Sequence, residues 1–383
     1  MNTKEKYIQI FESFFCRFLV GVLGFGMLIN VMMPDRTESI TENRTLQMFP
    51  KLTVDSFLDG TFTKDVDEWF SDQFIGRDTF IYVRYLMQKF TGQKEVNGVY
   101  LTSKGLIEKI ESEDEKEIAR ITRAINTLYE NTKLNTYFML APNSATVNAS
   151  KLPWPAQTID QEKQIENIYA SLNSGITTID VTNALKKHNK EYLYYKSDHH
   201  WTSLAAFYAL QEASSTLGLG EIDKSKYTVY PVTASFKGSL AEKVGATGYK
   251  DEIDIYVPKD ETEYLFFNEG LGSKSCSVFD SASLERNDKY SVFMGGNTSI
   301  CRLEMNNTSK KHLLVIKDSY ANCLIPMLIP YYRTITVVDA RYYYEDITRV
   351  INGDSITDIL YLYNGNTFVQ DKSLADMIEN SLE

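Results

Sequence analysis

Apolar positions along this chain fall into one long uncharged run and a series of shorter runs with either helical or strand-like spacing. The long run is residues 18–33 (FLVGVLGFGMLINVMM), which has no charge and lies behind Lys4, Lys6 and Arg17. With Phe14 and Phe15 extending it and Arg17 able to snorkel, it approaches the roughly 20 residues that span a bilayer. It ends in Asn-Val-Met-Met-Pro-Asp-Arg, without the small residues of a cleavage site, which favours an uncleaved anchor over a cleaved signal. The basic flank places residues 1–17 in the cytoplasm and the chain beyond about residue 35 outside the cell membrane.

Past the anchor, Phe62, Val66, Trp69 and Phe70 recur at helical spacing, as a core-facing stripe does. Ser112 followed by Glu115 has the form of a capping box ahead of Ile118, Ile121, Ile125 and Leu128 on one helix face. TYFMLA (136–141), closed by Pro142 and Asn143, reads as a buried parallel strand. Asp160 opens another helix, ITTIDV (176–181) is a strand, residues 198–201 form a loop, and Thr202 or Ser203 caps a helix that stops near Gly218. Residues 220 to about 310 break the rhythm with short strand-like pieces such as KYTVYPV and EIDIYV, and read as a β-rich insertion. The alternation resumes with HLLVI (312–316), a helix from about Tyr320, TITVVDA (334–340) and DILYLY (358–363). Strand and helix trading places in this way predict an α/β fold with a doubly wound parallel sheet.

Composition narrows the possibilities. A chain of 383 residues, 43% hydrophobic and 24% charged, folds into two or three domains. A net charge of −11 without a cluster of Lys and Arg excludes a nucleic-acid surface. Cys16 lies at the membrane, leaving Cys276, Cys301 and Cys323 outside, an odd number. A Cys276–Cys301 disulfide and free thiols both remain open. No CxxC or His/Cys spacing suggests zinc, and the reading requires neither metal nor cofactor.

Chemistry in such sheets sits on loops leaving the carboxyl ends of the strands. Lys317-Asp318-Ser319 delivers a serine at a strand-to-helix turn, where free backbone N–H groups can stabilise an oxyanion. Asp198-His199-His200 holds two of the four histidines, and YNGN offers the side-chain amides of Asn364 and Asn366. Each has an ordinary alternative, since a serine opening a helix is usually a cap and paired histidines can be packing residues. Their joint placement at strand ends of one sheet points to acyl transfer.

SDHHW, KDSYAN and VVDARYY together resemble the bacterial DHHW proteins, named for Asp198-His199-His200-Trp201, and the likeness extends to ENRTLQMFP and FLDGTFTKDVDEWFSDQFIGRD near the anchor. More distantly, the chain is similar to the SGNH hydrolase-like domains of alginate O-acetylation proteins. That resemblance implies an SGNH hydrolase-like sheet in circularly permuted order over residues 106–383, following the anchor at 18–34 and the membrane-proximal helical region at 35–105 read from the residue pattern. It matches Ser319 to the nucleophile, Asp198 and His200 to the Asp/His pair, and Asn364, with Asn366 beside it, to the oxyanion-stabilising asparagine. Lys317 stands where these hydrolases have glycine, and Asp339-Ala340-Arg341 replaces the glycine of the second block. His199, Trp201, Tyr320 and Arg341 are then candidate substrate-facing residues. The implied activity is extracytoplasmic O-acetyltransfer to a cell-envelope or exported polysaccharide, with a membrane-bound partner supplying acyl groups. A secreted carbohydrate esterase and an inactive glycan-binding scaffold are the alternatives.

Overall fold

A computed structural model describes residues 3–39 and 44–382. The chain divides into two compact units, residues 1–92 with 245–247, and residues 93–244 with 248–383.

In the smaller unit the helix Thr3–Met32 contains one stretch, Ser13–Met32, of 20 residues, long and apolar enough to cross a membrane and almost wholly unburied by protein. Near its end, Asn30 is buried and its Oδ1 accepts the N–H of Ile75 at 2.7 Å. The expected Phe62-to-Phe70 stripe lies on the helix Thr61–Gln73, where Trp69 is buried and the other three are half-buried. Trp69 Nε1 donates to Asp35 at 2.9 Å and its ring meets Phe49 edge-on at 5.0 Å. Asp72 accepts from Arg44 Nη1 at 2.8 Å and from Gln47 N at 2.9 Å. The conspicuous residues of ENRTLQMFP and DEWFSDQF thus fasten to one another. After Gly76, at φ +71, a further helix runs Arg77–Phe90.

The larger unit is built on an eight-stranded sheet: β1 Asn135–Ala141, β2 Ile176–Ile179, β3 Tyr264–Asn268, β4 Ser273–Ser275, β5 Ile300–Met305, β6 His312–Lys317, β7 Thr334–Val338 and β8 Asp358–Asn364. Their spatial order is β4-β3-β5-β7-β6-β8-β1-β2. The five strands from β7 to β2 are parallel, while β5, β3 and β4 add an antiparallel margin. The sheet is therefore mixed, and part of the 220–310 segment belongs to it. Only 227–236 and 251–258 form a separate two-stranded ladder. In the antiparallel margin Arg302 and Glu304 interrupt the apolar run of β5, and the solvent-exposed β4 has none.

Alternate residues of the central strands enter two different cores, as a period of two requires. Leu313 and Val315 of β6 and Leu360 and Leu362 of β8 face one core, together with Ala205, Ala206, Phe207 and Leu210 of the helix Ser203–Ala213. Leu314, Ile316, Ile359 and Tyr361 face the other, under Ile121, Ile125 and Leu128 of the helix Glu115–Thr132. At about 1.5–3 kcal/mol for each buried large aliphatic side chain, these two layers hold the strand ends in register.

Local details depart from the sequence reading in two places, and a third point left open is decided. Asp114, not Ser112, caps the Glu115–Thr132 helix, accepting from Lys116 N at 3.0 Å. The helix expected from about Tyr320 is instead two 3-10 segments, Ser319–Cys323 and Ile325–Tyr331, because Pro326 and Pro330 lack the N–H that α-helical propagation needs. The four cysteines are free, with Cys276 exposed and Cys301 buried. Thr202 and Asp160 cap their helices as expected.

Candidate functional site

The carboxyl end of β6 gives the site its floor. Asp318 closes the strand, its Oδ1 accepting from Tyr320 N and its Oδ2 from Asn364 N, both at 2.9 Å. This pins the turn to the end of neighbouring β8 and leaves Ser319 projecting. Among the described residues, Ser319 N has no hydrogen-bond partner.

The histidines reach the turn on a tight hairpin. Tyr194 and Trp201 pair across it, and Thr202 N donates to Leu193 O at 2.9 Å. Asp251 ties its turn from below, accepting from Lys196 N at 3.0 Å, Ser197 N at 2.8 Å and the Tyr192 hydroxyl. Sequence reasoning missed Asp251, because an acidic residue opening a strand gives no local signal.

On this mounting three predicted residues line up. His200 Nδ1 lies 2.6 Å from Asp198 Oδ1, which also accepts His200 N at 2.9 Å, and His200 Nε2 lies 2.7 Å from Ser319 Oγ. Asp198 Oδ2 accepts from Ser239 N at 2.8 Å and Ser239 Oγ at 3.0 Å. Gly238, just before Ser239, passes so close that a Cβ there would sit 2.1 Å from that of Asp198. Tyr290 stacks on the His200 ring at 3.9 Å and donates through its hydroxyl to Ser319 O at 3.1 Å.

Burial sets the electrostatics. It pushes the His200 imidazole below its ordinary value, reinforced by neighbouring His199 and opposed by Asp198. Burial works in the other direction on Asp198, yet the two imidazoles and the hydrogen bonds from His200 hold its carboxyl well below the usual range. The site therefore contains a neutral imidazole oriented by a carboxylate, with a serine hydroxyl at its far nitrogen. Such an arrangement can remove a proton from the serine as it attacks an electrophile.

Asp198, His199 and His200 also place possible metal-ligand atoms within 4.8 Å of one another. Their donor atoms are committed elsewhere: His200 uses both ring nitrogens on Asp198 and Ser319, and His199 Nδ1 lies 2.7 Å from Ser239 Oγ. The set fits a proton relay better than a metal shell.

The other predicted residues are placed differently from the expectation. Trp201 and Tyr320 are completely buried, so neither lines a substrate groove; Trp201 Nε1 donates to Tyr320 O at 2.8 Å, and Tyr320's hydroxyl donates to His199 O. They weld the hairpin to the serine turn. Asn364 is the cap of the helix Gly365–Gln370, its Oδ1 accepting from Asn366 N and Thr367 N and also from Asn143 Nδ2. Asn366 holds the 108–111 segment, accepting from Glu111 N at 3.0 Å and donating to Lys109 O at 2.8 Å. A polar side chain leaving a strand to start a helix serves the orphan N–H groups there. Arg341 grips Asp339 through Nε at 2.8 Å and Nη2 at 2.7 Å, and the same carboxylate receives Lys317 Nζ at 3.2 Å. Burial pushes the Lys317 ammonium down against the pull of Asp339.

Lys317 leads to a residue that sequence reasoning passed over. Its Nζ donates to Asn297 Oδ1 at 2.9 Å, and Asn322 Nδ2 donates to the same oxygen at 3.1 Å. Asn297 follows Met294, Gly295 and Gly296, all at positive φ, in a sharp turn before β5. Its carbonyl is thus anchored to residues on both sides of Ser319, and its amide nitrogen has no partner among the described residues. The Gly-Gly-Asn triplet was the available signal. A depression of about 640 Å³ bordered by Tyr264, Cys276, Met305 and Arg333 touches none of Asp198, His200 and Ser319.

Comparison with known proteins agrees with this architecture. The family model described as DHHW protein matches residues 42–118 and 115–338. A crystal structure of a DHHW family protein from Eubacterium siraeum is 23% identical, covers 75% of this chain and 96% of its own, and superposes with a TM-score of 0.63. Bacillus cereus PatB1, solved with a sulfonyl adduct, is 21% identical over 72% of this chain and 97% of its own, with a TM-score of 0.63. The O-acetyltransferase domain of Pseudomonas putida AlgJ is 13% identical over 74% of this chain and 99% of its own, at a TM-score of 0.45. No curated protein matches the sequence.

Proposed function

The chain belongs to the DHHW protein family, and from that premise we propose that it is an extracytoplasmic, serine-dependent O-acyltransferase acting on a cell-envelope or exported polysaccharide. The observation that carries this reading is the unbroken relay from Asp198 through His200 to Ser319, at 2.6 and 2.7 Å. The folds of PatB1, solved with a sulfonyl adduct, and of the DHHW protein from Eubacterium siraeum lend support. In this reading the sheet is a permuted SGNH hydrolase-like sheet, with the histidine loop preceding the serine turn. Residues 1–17 are cytoplasmic, the apolar helix anchors the chain, and a membrane-bound partner hands acyl groups outward.

His200 Nε2 takes the hydroxyl proton as Ser319 Oγ forms a bond to the carbonyl carbon of the acyl donor, and Asp198 steadies the resulting imidazolium. Ser319 N and the Asn297 amide donate to the tetrahedral oxyanion, a role that the geometry of Asn364 leaves to others. The intermediate collapses, the leaving group departs with the proton from His200, and an acyl-serine remains. A sugar hydroxyl then attacks the acyl carbon, passing its proton to His200, and Ser319 leaves and is reprotonated. Water in the sugar's place would make the same residues an esterase.

The test is release of p-nitrophenol from p-nitrophenyl acetate by the full chain in detergent, with and without a glycan acceptor. Ser319→Ala and His200→Ala are each expected to lose about 10³-fold or more in kcat, and Asn297→Ala about 10²-fold. A sulfonyl fluoride should add the mass of the reagent less HF to the wild type, the fluoride leaving as the Ser319 oxygen bonds to sulfur, and nothing to Ser319→Ala. Turnover unchanged in a folded Ser319→Ala variant would refute the reading. Acetyl groups on the glycan, rather than free acetate, would mark the transferase.

A further inference from the structure

The smaller unit carries an apolar surface that the acyl-transfer chemistry does not use. On the helix Arg77–Phe90, Phe80 is 62% exposed, Val83 42%, Leu86 42%, Met87 62% and Phe90 92%. At 100° per residue these five side chains occupy one continuous arc of about 120°, while Tyr85 on the opposite side is buried. A shallow groove of about 490 Å³ adjoins the arc, lined by Phe70, Phe74, Phe80 and Ile81 and edged by Arg84. A soluble surface rarely leaves such a stripe uncovered.

What covers it follows from where the helix begins. Asn30, in the last turns of the apolar stretch Ser13–Met32, is buried and accepts the N–H of Ile75, two residues before the helix starts. If Ser13–Met32 spans the bilayer, as the proposed function holds, this bond sets the helix start at the outer edge of the hydrocarbon layer. The apolar arc is flanked by Arg84 and Lys89, both exposed, which suits the boundary between acyl chains and phosphate headgroups.

We propose that the helix Arg77–Phe90 is a lipid-interfacial element, its Phe80–Val83–Met87–Phe90 face seated among phospholipid acyl chains and Arg84 at their phosphates. The anchored chain is then held against the membrane at two places instead of one. This restricts its swivel about the span, and so the height at which the unit is presented above the lipid.

The inference rests on the anchoring proposed above, and the test separates the two. The full chain is reconstituted in vesicles of phosphatidylcholine and phosphatidylglycerol, with an environment-sensitive fluorophore on a single exposed cysteine. Native Cys16, within the apolar stretch, serves as the lipid reference in a Cys276→Ser background. Val83→Cys, Met87→Cys and Phe90→Cys are each labelled after Cys16→Ser and Cys276→Ser; Cys301 and Cys323 are buried. These three sites are exposed, so labelling leaves the core untouched. Labels at all three are expected to lose emission with brominated lipid much as Cys16 does, and to resist aqueous iodide. Quenching at Cys16 with iodide access at positions 83, 87 and 90 would overturn the interfacial helix and leave the anchor standing. Shielding from both quenchers would overturn it in favour of a protein cover such as a second copy. Iodide access at Cys16 would overturn the anchor, and with it this inference.

Discussion

In the proposed mechanism the protonation of His200 decides whether Ser319 can be activated. Buried and beside His199, His200 holds its proton less readily than an ordinary imidazole, so it is neutral, and able to act as base, at a pH below the usual midpoint of about 6.5. Turnover of a small ester should therefore rise with pH and level off below about pH 6.5. His199→Ala removes one cause of the lowering and should move the midpoint of that profile upward; an unmoved or lowered midpoint would count against the coupling. The same shift has a stability consequence. The folded chain binds this proton less readily than the unfolded chain, so the contribution is complete above the ordinary histidine value and is lost as pH falls through the lowered one. Asp198, depressed by its partners, adds to the acid side in the same sense.

At the level of elements, what matters is how closely three segments approach. The hairpin carrying Asp198, the turn carrying Ser319 and the strap at Gly238 and Ser239 meet so tightly that only hydrogen fits at position 238. Gly238→Ala is expected to push Asp198 off His200, lowering turnover by up to about 10²-fold and costing about 1–3 kcal/mol of stability. Thermal unfolding followed by circular dichroism, beside ester turnover, would check both; unchanged values would mean that the strap moves freely. The elements also show where sequence periodicity works. The stripe of Ile118, Ile121, Ile125 and Leu128 and the apolar strands β1, β6, β7 and β8 were legible because both sheet faces are buried and the runs are uninterrupted. The 3-10 turns after Ser319 and the antiparallel margin were not. Pro326 and Pro330 lie in the local sequence, and their effect on the helix was overlooked, whereas the antiparallel strands are set by pairing partners far away in the chain, which a local window does not contain.

For the whole molecule, every residue of the proposed relay, including the strap and Asn297, lies in the larger unit, which has its own cores on both faces of the sheet. Deleting residues 1–33 should thus change p-nitrophenyl acetate turnover by no more than about twofold, since a unit with its own core keeps its geometry. Under the proposed reading, transfer to a surface-bound glycan should fall, because the truncated chain loses its spanning anchor and keeps only the proposed interfacial helix. Comparing the two assays on the truncated and full chains measures the division directly, and equal losses in both would argue that the site depends on the smaller unit.

By itself the sequence determined the apolar helix at the N-terminus, the alternation that makes a parallel-rich sheet, and the strand-end motifs carrying Asp198, His199, His200 and Ser319, among which the resemblance to the DHHW proteins singled out Asp198, His200 and Ser319. Those are local properties: runs of apolar residues, their period, and motifs a few residues long. Only the tertiary structure decided what each remaining polar or aromatic side chain does. Trp201 and Tyr320 became buried struts, Asn364 a helix cap and Asn366 a tie to the 108–111 segment, while Asp251 and Asn297 emerged beside the site from distant parts of the chain. The physical reason is that a hydrogen-bonding group takes whichever unsatisfied partner folding sets beside it, and that neighbour is fixed by strand order and packing, not by position in the chain.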